Sequence, residues 1–127
     1  MPHSIYLEGL SHRAPIPSAA QVGPLLHSGG IVGLDRETGQ LPEDLAGQCA
    51  NMFVNVAAIL EAAGATPQEI VKLTVWMEDR GARDVLNVEW EKMFPDPARR
   101  PARHTQETAL PGPVKIQCEF LAWTGPI

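Results

Sequence analysis

The chain is poor in cysteine, in aromatic residues and in positive charge. Only two of its 127 residues are cysteines, Cys49 and Cys118, and their spacing matches no zinc-binding pattern. Two such cysteines without a recognisable secretory leader indicate reduced thiols and predict a cytoplasmic protein. The four histidines, at positions 3, 12, 27 and 104, include no pair at helical ligand spacing. We therefore expect no metal ion and no other cofactor.

Positive charge is scarce, with 10 lysines and arginines against 15 acidic residues and a net charge of −5. That balance argues against a protein that wraps the phosphate backbone of a nucleic acid. No apolar run reaches membrane-spanning length, so we expect no membrane partner. The length fits one domain over residues 1–127 and suffices to bury a core.

Hydrophobic periodicity predicts the main elements. Apolar residues at spacings of three and four predict helices over residues 43–63 and 82–94. Cys49 falls on the first apolar stripe and is interpreted as a core residue, not a nucleophile, whereas Asn55 falls off it and is expected in solvent. Asn87 lies beside the second stripe. Alternation predicts strands over residues 70–77, 102–107 and 114–123, with shorter strands near 6–7, 22–28 and 31–33.

The order of these elements predicts a two-layer α+β domain, with one mixed β-sheet and both helices on one face. We expect the last two strands to pair as a hairpin. The second face is predicted to carry Arg103, Thr105, Gln117 and Glu119 beside tryptophans. Such a face usually meets another subunit, which predicts a closed homo-oligomer. A monomer with a wet second face is the alternative.

Arg103 is the strongest candidate for binding a ligand. Its guanidinium can hold a carboxylate through two parallel hydrogen bonds, whereas Arg99 and Arg100 are interpreted as solvated. In a strand, Arg103 and Thr105 share a face and His104 points to the other, where we expect it buried against the helices. His12 is a weaker candidate, in a segment that could fold over a cleft. Gly29-Gly30 permits either a close ligand approach or a plain bend.

Short motifs in a fixed order cover residues from about 15 to 123. On these motifs the chain resembles the Rid family (reactive intermediate deaminases, also called the YjgF family). The motifs are Pro15-Ile16-Pro17, Ser28-Gly29, Thr38-Gly39-Gln40, Gln48, Asn55, Ala62-Ala63-Gly64, Val71-Lys72-Leu73-Thr74-Val75, Asn87 with Phe94, Pro101-Ala102-Arg103 and Val114-Lys115-Ile116.

The resemblance implies a chorismate-mutase-like fold and a homotrimer with clefts between subunits. It also implies a deaminase (hydrolase) that converts 2-imino or 2-enamino acids to 2-keto acids and ammonia. Arg103 matches the arginine that holds the substrate carboxylate, and Ser28 and Gly29 match a backbone corner near the substrate. Asn87 matches an asparagine near the cleft. Thr105 stands where a cysteine often helps to hold a water through its carbonyl.

Two departures from the deaminase subgroup matter. Gln117 stands where that subgroup has a glutamate, and Ile16 lies near the position of a missing tyrosine. A glutamate can accept a proton while it positions water, but an amide can only orient the water. The alternative to an imine deaminase is therefore a non-catalytic trimeric module that binds small carboxylate metabolites. A ribonuclease or translation inhibitor is the third and least favoured hypothesis.

Overall fold

The structure is a computed structural model that describes residues 1–10 and 14–126. Within these residues, seven strands form one sheet and two α-helices cover it. The strands are β1 (His3–Ile5), β2 (Ala19–Val22), β3 (Leu25–Ser28), β4 (Ile31–Val32), β5 (Ile70–Met77), β6 (Ala102–Glu107) and β7 (Ile116–Trp123). The helices are α1 (Leu45–Ala62) and α2 (Arg83–Met93).

The sheet is mixed, as predicted. Its strand order is β1-β2-β3-β7-β5-β6, and β4 also pairs with β7. Strands β5 and β6 are parallel, because α2 returns the chain to the same end of the sheet, and all other pairs are antiparallel. Strand β6 therefore forms one edge of the sheet.

The predicted hairpin of β6 and β7 is wrong, because β5 lies between them. Met77 stands opposite both Glu107 and Ile116 in the register. The connection crosses the end of β5, where Thr108 N donates to Met77 O at 2.9 Å and Glu78 N donates to Lys115 O at 3.2 Å. Strand β5 pairs with both β6 and β7, because its apolar surface is longer than that of β6.

The N-terminal strands also differ in detail from the prediction. The edge strand lies at His3–Ile5 and not at residues 6–7, and it pairs with β2. The predicted strand over residues 22–28 is divided by a turn at Gly23, whose φ of 56° favours glycine. The result is a β2–β3 hairpin that brings Ser28 beside the centre of the sheet.

One face of the sheet, here called the helix face, packs against the helices. It carries Leu73, Val75 and Met77 of β5, all fully buried, in one cluster with the buried residues of α1 and α2. Helix α1 begins after Asp44, whose Oδ1 accepts from Gly47 N at 2.9 Å. By length and composition alone α1 could cross a membrane. Here it is the core helix, with Cys49 buried as predicted.

Helix α1 approaches the sheet closely because Gly33 has no side chain. A Cβ at Gly33 would overlap the backbone carbonyl of Gln48. The expectation that Asn55 is solvated is wrong: it is 1% exposed, and its Nδ2 donates to Val32 O and Leu34 O, both at 2.9 Å. A buried polar side chain such as this one is accommodated in the core because backbone groups supply its hydrogen-bond partners.

Candidate functional site

Arg103 lies on the helix face of the edge strand β6. It stands opposite Leu73 in the parallel pairing, so its side chain points beneath α2. The guanidinium carbon is 4.9 Å from the centroid of the Trp90 ring, which is within the range of a cation–π contact. Nη1 is buried and has no hydrogen-bond partner in the part of the chain that the structure describes. One donor of a permanent cation is thus held out of water and unused.

The electrostatic surroundings of Arg103 are unfavourable to its charge. Burial lowers the pKa of Arg103 from its usual value, and the charge of Arg83 lowers it further, while the thiol of Cys49 acts in the opposite direction. Arginine remains protonated at neutral pH despite such effects. An anion beside this guanidinium would therefore remove an electrostatic cost as well as satisfy Nη1.

Four further residues lie on the same side of β6 or of α2. Thr105 stands opposite Val75 and shares the helix face with Arg103, and both are half-buried. On α2, half-buried Asn87 lies one turn before Trp90 and one turn after Arg83, so all three lie on one side of the helix. We call this set the arginine groove: Arg103, Thr105, Asn87, Trp90 and Arg83.

Gln117 and Glu119 lie on the opposite side of the sheet, here called the open face. They stand opposite Trp76 and Thr74, which alternate with the buried residues of β5. The prediction that Arg103 and Thr105 share a face with them is wrong. Strand β6 carries no large apolar residue, so its own pattern did not determine which side faces the helices.

A second group of predicted site residues lies around β3, β4 and β7. Ser28 is buried, and its Oγ accepts from Phe120 N at 2.9 Å, so this hydroxyl joins two strands. Gly29 N donates to Ser18 O at 2.9 Å. A Cβ on Gly30 would lie 2.7 Å from Nε2 of Gln117, so the amide rests against this glycine. We call this group the glycine corner: Ser28, Gly29, Gly30 and Gln117.

A single chain does not bring the two groups together. Strands β7 and β6 flank β5, which separates Gln117 from Arg103 by two strand spacings, about 10 Å, besides placing them on opposite faces. Ser28 lies one strand farther away. The residues predicted to form one site therefore lie in two separate groups on the chain.

Three remaining candidates are accounted for as follows. His104 stands opposite Thr74 and is exposed on the open face, so the expectation of a buried histidine against the helices is wrong. His12 lies outside the described residues. Ile16 is 49% exposed. Within residues 1–10 and 14–126, no group of three His, Cys, Asp or Glu residues is arranged to hold a metal ion.

The sequence patterns did not reveal two residues that shape the site. Trp90 is one of the apolar residues whose spacing predicts the helix over residues 82–94, and only the structure shows that its ring covers Arg103. Gln48 is fully buried: its Nε2 donates to Pro42 O and Pro113 O at 2.8 and 3.0 Å, and its Oε1 accepts from Lys115 N at 2.8 Å. Gln48 thereby fixes the start of the strand that carries Gln117.

Comparison with known proteins gives a consistent result. A family model described as Endoribonuclease L-PSP matches residues 10–123. The chain is 35% identical over 116 residues to a RutC family protein of Aquifex aeolicus, covering 87% of this chain and 93% of that one. It is 36% identical over 110 residues to an Escherichia coli protein named 2-iminobutanoate/2-iminopropanoate deaminase, covering 85% of this chain and 86% of that one.

Two solved structures share the fold over almost the whole chain. The crystal structure of the YjgF gene product of Escherichia coli superposes with a TM-score of 0.87 at 30% identity, covering 97% of this chain and 99% of that one. RidA from Psychrobacter gives a TM-score of 0.88 at 28% identity, covering 95% and 98%.

Proposed function

Because this chain belongs to the Rid (YjgF) family, we propose that it hydrolyses small 2-imino or 2-enamino carboxylates in clefts between subunits. In the imine reaction, water adds to the C=N carbon, the C–N bond breaks, and a 2-keto acid and ammonia leave. The observation that carries the proposal is the buried, unpartnered Nη1 of Arg103. The location we propose is the cytoplasm, in keeping with two free, buried cysteines.

Arg103 suits the carboxylate of such a substrate. Leaving a buried donor without a partner costs about 1–3 kcal/mol, and more for a charged group. A carboxylate can accept from both guanidinium nitrogens at once, which fixes its orientation as well as its position. Trp90 restricts the guanidinium from one side, so less side-chain freedom is lost when the ligand binds.

The complete site needs a second copy of the chain. The arginine groove and the glycine corner are too far apart on one chain to touch the same small molecule. We infer a homotrimer in which the glycine corner of one subunit faces the arginine groove of the next. The outer side of the edge strand β6 is unpaired within the described residues, and such edges commonly meet another chain.

Gln117 sets the limit on the chemistry. Its amide oxygen can orient a water for attack on the imine carbon, with Gly30 holding the amide in place. It cannot take the proton of that water at neutral pH. Imines are reactive enough for positioning alone to accelerate their hydrolysis, so we expect a real but modest catalytic rate.

The test is ammonia release from 2-iminopropanoate generated in place by an amino-acid oxidase. The protein should accelerate release over buffer, and Arg103→Ala should abolish the acceleration, with Arg103→Lys retaining part of it. Arg99→Ala, which removes an exposed charge outside the groove, should have no effect. An Arg103→Ala protein that folds and remains as active as the unsubstituted protein would show that the guanidinium does not hold the substrate.

The second candidate is a trimeric module that binds small carboxylates without chemistry. The amide at Gln117 favours it, because no carboxylate stands at that position. Calorimetric titration with pyruvate or 2-ketobutyrate separates the two candidates. Binding that disappears in Arg103→Ala, in a protein that does not accelerate ammonia release, would support the module and exclude the deaminase.

A further inference from the structure

The arginine groove contains a second guanidinium, that of Arg83. Arg83 lies on the same side of α2 as Asn87 and Trp90, at a spacing of four and then three residues. Along the helix axis, Arg83 and Trp90 are about 10 Å apart. Trp90 covers Arg103, and Arg83 lies about two helical turns before Trp90 on the same side of α2.

Neither Arg83 nor Arg103 forms an ion pair in the part of the chain that the structure describes. Within residues 1–10 and 14–126, the one ion pair joins Lys92 Nζ to Glu89 Oε2 at 3.0 Å. Glu107, at the end of β6, accepts a hydrogen bond from Arg80 N at 3.0 Å. The groove therefore contains two arginines without an ion-pair partner among the described residues, in a chain whose net charge is −5.

Two like charges in one groove oppose each other. Burial lowers the pKa of Arg103 most, and the charge of Arg83, although exposed, lowers it further. A ligand with one carboxylate would neutralise only one end of the groove. A ligand with two carboxylates would neutralise both, and its second carboxylate would gain a charge-assisted hydrogen bond.

We propose that the preferred ligand of the arginine groove is a short 2-imino dicarboxylate, whose first carboxylate binds Arg103 and whose distal carboxylate binds Arg83. The inference rests on the proposed function, since it names the substrate class of the same site. The distal carboxylate takes no part in the reaction: water adds at the C=N carbon and ammonia leaves, giving a 2-keto dicarboxylate. A reaction that oxidises the amine of an acidic amino acid would supply this substrate.

Two keto acids of equal carbon number provide a matched binding test. 2-Oxoglutarate and 2-oxopentanoate differ in that one ends in a carboxylate and the other in a methyl group. Calorimetry with the full chain should give about 10-fold or tighter binding of 2-oxoglutarate, the value of one hydrogen bond between charged groups. Arg83→Gln should remove this preference, so that the two keto acids bind with equal affinity.

Arg99→Gln is the matched control variant, because it makes the same charge change at an exposed position outside the groove. It should retain the preference for 2-oxoglutarate. Equal affinities for the two keto acids in the unsubstituted protein would overturn the inference. So would a preference that survives in Arg83→Gln, or one that falls equally in Arg83→Gln and Arg99→Gln, since a general field and not a contact would then be responsible.

Ammonia release separates this inference from the proposed function. Imines of the same two carbon skeletons can be generated by amino-acid oxidases from glutamate and norvaline. If both are hydrolysed at equal rates, the function stands and the dicarboxylate inference fails. If neither is hydrolysed but 2-oxoglutarate binds through Arg83, the ligand class stands and the deaminase proposal fails.

Discussion

The guanidinium of Arg103 lies over the ring of Trp90, with 4.9 Å between the guanidinium carbon and the ring centroid. The ring is itself held by Phe94, at 4.7 Å between centroids and an interplanar angle of 59°. Phe94 is buried at the end of α2. The orientation of the proposed carboxylate-binding group thus depends on the position of one helix over the edge of the sheet.

Replacing Trp90 should weaken ligand binding without removing the arginine. Trp90→Leu loses the ring face and should weaken 2-ketobutyrate binding about 3- to 30-fold, the range of a partly desolvated cation–π contact. Trp90→Phe keeps a ring and should lose less. Calorimetric affinities measure the effect, and urea unfolding of both variants checks the fold. Equal affinities in the leucine and phenylalanine variants would show that the ring face contributes nothing.

Gln117→Glu should raise the rate of imine hydrolysis. The new carboxylate can accept a proton from the water that the amide only orients, and general-base catalysis typically contributes about 100-fold or more. The rate should fall below about pH 4–5, as the carboxyl becomes protonated. Steady-state ammonia release from pH 4 to 8 measures both effects.

Glu119→Gln is the control for that prediction. Glu119 lies on the open face with Gln117, two residues farther along β7, about 6–7 Å away. Its loss should leave the rate of ammonia release unchanged. An unchanged rate in Gln117→Glu itself would mean that proton transfer does not limit the reaction or that Gln117 does not reach the water.

The strands that bury one face could be predicted from the sequence. For β6 the bounds could be predicted, but its position in the sheet could not. Strand β5 was predicted with the bounds it has, because Leu73, Val75 and Met77 alternate with Lys72, Thr74 and Trp76. Strand β6 offers no such alternation, so neither its neighbour nor its face could be derived from the chain. The importance of Arg103 was inferred from its chemistry, whereas its contact with Trp90 depends on long-range register.

Buried amides were the second source of error. Periodicity identifies which residues face the core, but it does not tell whether a polar residue near the stripe finds backbone partners there. Asn55 was placed in solvent for that reason, and Gln48 was given no structural role. Both amides bond to loop carbonyls far away in sequence, which no local pattern can show.

Asn55→Ala should destabilise the fold strongly. The substitution removes two hydrogen bonds of 2.9 Å and leaves Val32 O and Leu34 O without these donors, which should cost about 2–4 kcal/mol of unfolding free energy. Asn51→Ala is the comparison, since Asn51 is half-buried and makes one bond of 3.3 Å to Gly33 O. It should cost less than about 1 kcal/mol. Urea unfolding at one fixed protein concentration measures both values, and similar losses would contradict the assigned role of Asn55.

The two cysteines predict how stability depends on alkaline pH. The pKa of the Cys49 thiol is raised to about 12, chiefly by burial and also by the charge of Glu89, while the charge of Arg103 acts in the opposite direction. Burial also raises the pKa of Cys118 well above its usual value, with smaller contributions from Cys49 and Glu119. An unfolded thiol loses its proton near pH 8.5. The contribution of these two thiols to the free energy of unfolding is therefore fully present below about pH 8.5. It falls as the pH rises toward the folded pKa values, because the unfolded chain then binds fewer protons than the folded one.

The measurement is the unfolding free energy in urea, under reducing conditions, at several pH values from 8 to 10.5. Each buried thiol should contribute a loss of about 1.4 kcal/mol per pH unit once the unfolded thiol is fully ionised. Cys49→Ala and Cys118→Ala should each remove that share of the slope, whatever their effect at pH 8, since tyrosine and lysine titrate equally in all three proteins. Parallel pH profiles in the unsubstituted protein and both variants would show that the thiols ionise as readily in the folded chain as in the unfolded one.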